Sequence, residues 1–257
     1  ININITFSEI VNVAGTPQIT LETGSTDRVV NYSSGSGSNT LTFVYTVQAG
    51  DTSADLNYAS TGALALNGGT IKDSSNADNA GLQLPALSAS ASLAGNEAIV
   101  IDTTLPSLAS SSPADGATGF SRTGNIVLNF AEIVDRESGN ITIKKTSDNS
   151  TIETIAVTDS KITGTGTTQI TINPAATLIG QTEYYVLIDA SAFDDPSSNS
   201  YAGISSTTAL SFTTSDIANP TLISSSPADN ATGVSESADV VLTFNETVDR
   251  ESGNVVI

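Results

Sequence analysis

The chain has 257 residues, with 27 acidic against 8 basic side chains, a net charge of −19, and no Cys, His, Met or Trp. Without Cys and His it can build no zinc, haem or iron–sulfur centre, no Ser-His-Asp or Cys-His nucleophile and no disulfide framework. Its field repels nucleic acid and anionic lipid, and no stretch approaches the ~18 apolar residues of a membrane-spanning helix, so neither nucleic acid nor membrane insertion is expected. The first element is read from Ile1-Asn2-Ile3-Asn4-Ile5-Thr6-Phe7-Ser8, which puts Ile and Phe on one face and polar residues on the other. Leu41, Phe43, Tyr45 and Val47 repeat the alternation. Further on, strands are predicted near 107–112, 125–131, 139–146, 151–158, 167–173, 182–190 and 208–214. Gly/Ser/Asn/Asp clusters such as Ser33–Ser38 and Gly164-Thr165-Gly166 mark the turns between them. No amphipathic helix is predicted. An acidic, Ser/Thr/Gly-rich composition suggests disorder, but a hydrophobic fraction of 38% arranged at period two argues for half-buried strands of a β-sandwich.

One passage is written twice. Pro106–Ile143 and Pro220–Ile257 align without a gap, identical at roughly two-thirds of positions; Ser-Ser-Ser-Pro-Ala-Asp opens both copies and Val-Asp-Arg-Glu-Ser-Gly-Asn closes both. The offset of 114 residues is the length of one sandwich domain. Pro-bearing junctions, Asp102-Thr103-Thr104-Leu105-Pro106 and Asp216-Ile217-Ala218-Asn219-Pro220, are short and stiff and place the boundaries. The predicted architecture is all-β, tandem Greek-key sandwiches with the outer two truncated: 1–101 lacking its first strand, 106–214 complete, and 220–257 the N-terminal part of a third. Beginning at Ile1 and ending inside a repeat, the sequence is expected to be an internal piece of a longer chain. One strand-end motif, Phe-x-Glu, then Val and Asp or Asn, occurs three times: Phe7/Glu9/Asn12, Phe130/Glu132/Asp135 and Phe244/Glu246/Asp249. Leu178 followed by Thr182-Glu183-Tyr184-Tyr185-Val186 has the spacing of a tyrosine corner, with Tyr184 as the corner residue.

These motifs resemble known ones. Ser-Ser-Ser-Pro-Ala-Asp, Phe-x-Glu-x-Val, Ser-Gly-Asn-Ile-Thr-Ile and Ala209-Leu210-Ser211-Phe212-Thr213-Thr214 resemble the bacterial Ig-like repeat domains of S-layer proteins and giant repetitive adhesins, often called SbsA-type. Phe7-Ser8-Glu9, Gly50-Asp51, Leu66-Asn67-Gly68-Gly69-Thr70-Ile71 and Asp102-Thr103-Thr104 are similar to the related repeat named after a cyanobacterial swimming-motility surface protein. The resemblance implies Ig-like sandwiches of an extracellular, bacterial cell-surface protein. Such modules act as non-catalytic spacers or array-forming elements, with neighbouring modules of the same chain, and lateral copies of itself, as partners. The alternative is an adhesion module that grips a cell-surface glycan or another ligand.

Acids gather where successive units meet. In a sandwich whose strands alternate in direction, the loop after the second strand and the loop before the last share the end where the chain enters. Glu132, Asp135, Glu137, Asp189, Asp194, Asp195 and Asn199 fall there, and the linker brings Asp102. So many acids repel one another unless a cation sits among them, and Ca²⁺ suits loop carboxylates, taking six to eight hard oxygens in tolerant geometry. The predicted Ca²⁺ ligands are Asp102, Glu132 and Asp135, completed from Asp194, Asp195 and Asn199. Asp216, Glu246 and Asp249 repeat the set at the second junction, and Glu9, Asp73 and Asp78 stand at the entrance of the first unit. The plainer reading is acids facing solvent. Asp115 and Asp229, before Gly and Asn, read as turn formers bonding their own backbone. A catalytic carboxylate pair is not expected: Asp194 and Asp195 are adjacent, and neighbours on an extended strand point apart.

Overall fold

The computed structural model describes residues 1–249, 252 and 253; Arg250, Glu251 and residues 254–257, within the closing motif of the second copy, lie outside the described residues. The alternating runs form strands. In the first stretch these are β1 (Asn2–Ala14), β2 (Gln18–Glu22), β3 (Arg28–Ser34), β4 (Ser38–Val44), β5 (Asn57–Tyr58), β6 (Leu64–Ala65) and β7 (Thr70–Asp73), followed by one short helix, α1 (Leu93–Asn96). They make one seven-stranded sheet in the order β5-β2-β3-β4-β1-β7, with β6 on β2. Ile3, Val11, Ile19, Leu21, Leu41, Phe43, Tyr45, Leu56 and Ile71 belong to its buried core. α1 is an addition that sequence periodicity did not foresee; Ser92 caps it, its hydroxyl accepting from the Gly95 N–H.

The middle stretch contributes β8 (Leu108–Ser112), β9 (Ala117–Phe120), β10 (Ile126–Arg136), β11 (Asn140–Lys145), β12 (Thr151–Ala156), β13 (Ile162–Thr163), β14 (Thr167–Ile172), β15 (Glu183–Ile188), β16 (Phe193–Asp194) and β17 (Ser211–Thr214). Two sheets face each other: β13-β14-β10-β16 with β8 on β10, and β12-β11-β15-β17-β9. Every long run expected from alternation is a strand, and β9, β13 and β16 are short extra ones. Ile126, Leu128, Phe130, Tyr184 and Phe212, the inward parity of those runs, are at most 4% exposed. Tyr184 is a tyrosine corner: its hydroxyl accepts from the Ile179 N–H at 2.9 Å, tying the turn before β15 to the strand it enters. The last stretch forms β18 (Leu222–Ser226) against β19 (Val241–Phe244).

One local expectation needs correction and another is incomplete. β10 does not end at residue 131. A bulge between Asn129 and Val134 bends it away from β14, and it runs on to pair Asp135 and Arg136 with β16. Glu132 and Asp135 therefore stand on a strand rather than in a loop. Asp115 does sit in the turn closed by the Ala117 N–H on the Ala114 carbonyl, but it also reaches beyond it. Its Oδ1 accepts from the N–H and hydroxyl of Ser211, pinning the first turn to the last strand.

Phe130 sits edge-to-face with Phe193 and Tyr201 at centroid distances of 5.4 and 5.2 Å. Phe130→Ala should cost about 3–5 kcal/mol in urea unfolding, the usual range for emptying a buried Phe site; a loss under about 1 kcal/mol would contradict the packing described.

A carboxylate cluster at the entrance of the middle unit

The bulge in β10 aims Glu132 at the loop that follows β16, where Asp195 is 3% exposed. The linker brings Asp102 against both. One carboxylate oxygen from each of Asp102, Glu132 and Asp195 lies within 4.8 Å of the other two, the one group of three acids so close among the described residues. Asn199 ties the pieces together. Its amide nitrogen donates to Asp195 Oδ2 at 2.8 Å and to the Asp102 carbonyl at 3.1 Å. Asp195 is fixed further by N–H groups of Ser197 and Asn199, both 2.8 Å from Oδ1. Asp102 Oδ1 accepts from Thr104 N–H within its own turn.

Like charges at this spacing repel by roughly 3–4 kcal/mol per pair at an effective dielectric near 20. The ion pairs among the described residues, Arg28–Asp51, Lys145–Asp148 and Lys161–Glu153, all lie elsewhere. The cluster thus holds anionic charge with no cationic side chain of its own. Burial, then the charges of Asp195 and Asp102, push the Glu132 carboxyl above its ordinary range.

The other predicted ligands divide. Asp135 and Asp194 face each other across the β10–β16 register. Asp135 accepts from the Thr165 hydroxyl, and Asp194 leaves one buried carboxylate oxygen without a partner. Both stand beside the trio and outside it. Asp189, also expected at this end, is bound to the N–H and side-chain amide of Asn140. At the second junction Asp216 and Glu246 are in contact, and Asp249 is exposed and outside the pair. Burial and Asp216 raise the Glu246 carboxyl, while the Ala218 N–H lowers that of Asp216. In the first unit Glu9 contacts Asp73, whose hydrogen bond and charge raise the Glu9 carboxyl; Asp78 gives its backbone carbonyl to the Asp73 N–H.

These are one arrangement, complete in the middle unit and partial in the other two. The β1–β4 ladder skips between Thr6 and Val11 as the β10–β14 ladder skips between Asn129 and Val134, so Glu9 occupies the place of Glu132. Asn12 pairs with Lys72 as Asp135 pairs with Asp194. Asp73 then matches Asp195, each bonded to the N–H two residues on, and Asp78 matches Asn199. Three pieces build the cluster: the linker Asp, the Phe-x-Glu strand and the Asp at the end of the strand that pairs with its far half, β16 or β7. The middle unit brings together all three, the first unit the last two, and the third stretch the first two.

The family model described as bacterial Ig-like domain matches residues 102–214 and again 216–257. The chain belongs to the bacterial Ig-like domain family. Three solved chains also match. One is the crystal structure of the S-layer protein rSbsC, with 14% identity and a TM-score of 0.32 over 48% of this chain and 17% of that one. The Ig-like chain thus spans less than a fifth of that S-layer chain's length. No curated protein matches it.

Sequence reasoning missed the other half of this Ig-like junction. Asp51 is buried in the first unit, its carboxylate accepting from the Arg28 side chain, the Tyr45 hydroxyl and the Gln48 N–H at 2.6, 2.6 and 2.9 Å. Burial alone would raise the Asp51 carboxyl, but these bonds take it below the ordinary range. Its backbone carbonyl accepts from the hydroxyl of Thr103, which in turn accepts from Gly50 N–H. Asp102 is thus held by the middle Ig-like unit and Thr103 by the first. The pairing of Gly50-Asp51 with an Asp-Thr-Thr exit was the visible trace.

A carboxyl whose folded pKa is raised destabilises the fold when ionised, and that loss is relieved as pH falls through the raised value. In EDTA at neutral pH, Glu132→Gln should raise Tm by roughly 2–4 °C, the response of a chain this size to about 1 kcal/mol. It should also flatten stability against pH in the acid range where Glu132 would otherwise take up its proton. Thermal scans showing an unchanged or lowered Tm would mean Glu132 is not under strain.

Proposed function

We propose that the chain is a series of non-catalytic structural modules from an extracellular bacterial surface protein, and that Ca²⁺ at Asp102, Glu132 and Asp195 stiffens the joint between the first two. Family membership supports the modular role. The observation that carries the calcium reading is the convergence of three acids from three separate segments with no cationic partner among the described residues. A fit test favours it: Ca²⁺–oxygen bonds are about 2.3–2.6 Å, so oxygens across one ion stand up to roughly 5 Å apart, and those of the trio lie within 4.8 Å of one another. Bound there, the ion would supply the missing positive charge and draw linker, strand and loop into one rigid unit. Asn199 would hold Asp195 and the linker backbone in position rather than ligate through its nitrogen. Asp135 and Asp194, as a neighbouring facing pair, are the nearest further oxygens.

The mechanical consequence follows from the grip on Asp102-Thr103. Thr103 belongs to the Asp51 network of the first unit and Asp102 to the cluster of the middle unit. Adjacent residues anchored to different bodies leave few free torsions between them. Its partners in this reading are its own neighbouring modules, with lateral copies in an array. Adhesion to a glycan is the second reading. It calls for exposed aromatic platforms, whereas the six Tyr and seven Phe are all buried or half-buried. That favours the spacer.

Small-angle scattering of residues 1–257 in millimolar Ca²⁺ should give a narrow distance distribution. EDTA should broaden or shorten it while the circular-dichroism signature of the strands stays unchanged. Identical scattering in both buffers would leave the acids as solubilising surface.

A further inference from the structure

The middle unit ties its first segment directly to its last. Among the described residues every strand ladder is antiparallel except one: β9 runs parallel to β17, with Ala117 opposite Phe212 and Phe120 opposite Thr214. Bonds hold this pair at both ends. At its start the Gly116 N–H donates to the Ser211 carbonyl at 2.8 Å, and Asp115 Oδ1 accepts from the Ser211 N–H and hydroxyl at 2.8 and 3.0 Å. At its far end the Ser215 N–H donates to the Phe120 carbonyl at 2.8 Å. Between them the Phe120 and Phe212 rings meet edge-on with centroids 4.7 Å apart, and Phe212 is 1% exposed. The Ser211 bonds hold the Asp115 carboxyl below its ordinary range, so at neutral pH they are charge-assisted, the stronger kind.

The direction of the pair decides how it meets a pull. The chain enters the unit beside Glu132, passes through β8 and reaches β9 at its start. It leaves from the end of β17, where the Ser215 carbonyl accepts from the Gln181 N–H. Tension along the chain therefore draws β9 back by its start and β17 forward by its end. Parallel strands loaded at opposite ends slide in shear, so their bonds carry the load together and must break together. Loaded at the same end, they open one bond at a time. Detachment of β8 from β10 leaves the link intact, because β9 lies downstream of β8.

We infer that the β9–β17 pair is a mechanical clamp that keeps the middle unit folded under tension applied along the chain, with Asp115 as its lock onto Ser211. The inference rests on the reading of the chain as modules in series, which is what puts tension on the two ends. It gives Asp115 a role beyond its turn: the carboxylate joins the segment pulled from one side to the segment pulled from the other.

The chain has no Cys, so a pair of introduced cysteines gives unique handles for single-molecule force spectroscopy on the full 257-residue chain. Ser107→Cys with Ser215→Cys loads β9 and β17 at opposite ends. Ser121→Cys with Ser215→Cys loads them at the same end, with the core unaltered in both. Forced unfolding reads the barrier to opening, and the first pair should unfold at a force at least about twofold higher than the second. Asp115→Ala should lower the force in the first geometry and leave the second unchanged, because unzipping starts from the Ser215–Phe120 bond. Run in EDTA with handles inside the unit, the comparison needs neither calcium nor a cell surface, so the clamp can fail while the proposed function stands. Equal forces in the two geometries would overturn it. So would a loss on Asp115→Ala of the same size in both, which is what a general loss of stability produces.

Discussion

Carboxylates brought together with no cationic side chain among the described residues impose the main constraint on this molecule. Asp195 is buried and bonded on both oxygens, Glu132 is aimed at it by a bulge, and Asp102 is delivered by the linker. Each placement is fixed by backbone hydrogen bonds of an otherwise ordinary sandwich, so the fold itself opposes their separation. The strain falls on Glu132, the member with fewest compensating bonds. A proton or a divalent cation is what relieves it, and at neutral pH the cation is the stronger candidate.

This constraint gives the joint its direction of coupling. The middle unit holds Asp102 through the cluster, while the first unit holds Thr103 through the buried Asp51, whose charge is satisfied internally by Arg28, Tyr45 and Gln48. One anchor is complete in itself; the other gathers three acids that, in the proposed reading, a cation would bridge. Relief at Glu132 therefore acts on the linker without needing any change in either core. The second junction repeats the design with Asp216 turned on Ala218 N–H as Asp102 is on Thr104 N–H, and with Glu246 brought against it.

The all-β class, the inward parity of Ile126, Leu128 and Phe130, and the corner at Tyr184 were legible because alternation at period two and turn chemistry are local. The acids at the entrance were also legible as a set, since strand direction alone sends the relevant segments there. Which acids meet was not. Asp194 and Asp195 are neighbours of opposite parity, and only the β16 pairing decides that Asp194 faces Asp135 while Asp195 faces Glu132 and Asp102. A bulge in β10 leaves no mark in its residue pattern, so Glu132 read as a loop residue. Asp115 is the turn residue it read as, but its bond to Ser211 was not legible because that partner lies at the far end of the unit. Long-range pairing is the common cause of these misses.

A calcium-stiffened joint requires the cluster to be a cation site. Isothermal titration of Ca²⁺ into the 257-residue chain at neutral pH tests it directly. One saturable binding event in the range of about 10⁻⁴–10⁻³ M, abolished by Asp195→Asn, is the predicted result. Absence of binding heat up to about 10 mM, or heat that Asp195→Asn leaves unchanged, would contradict it.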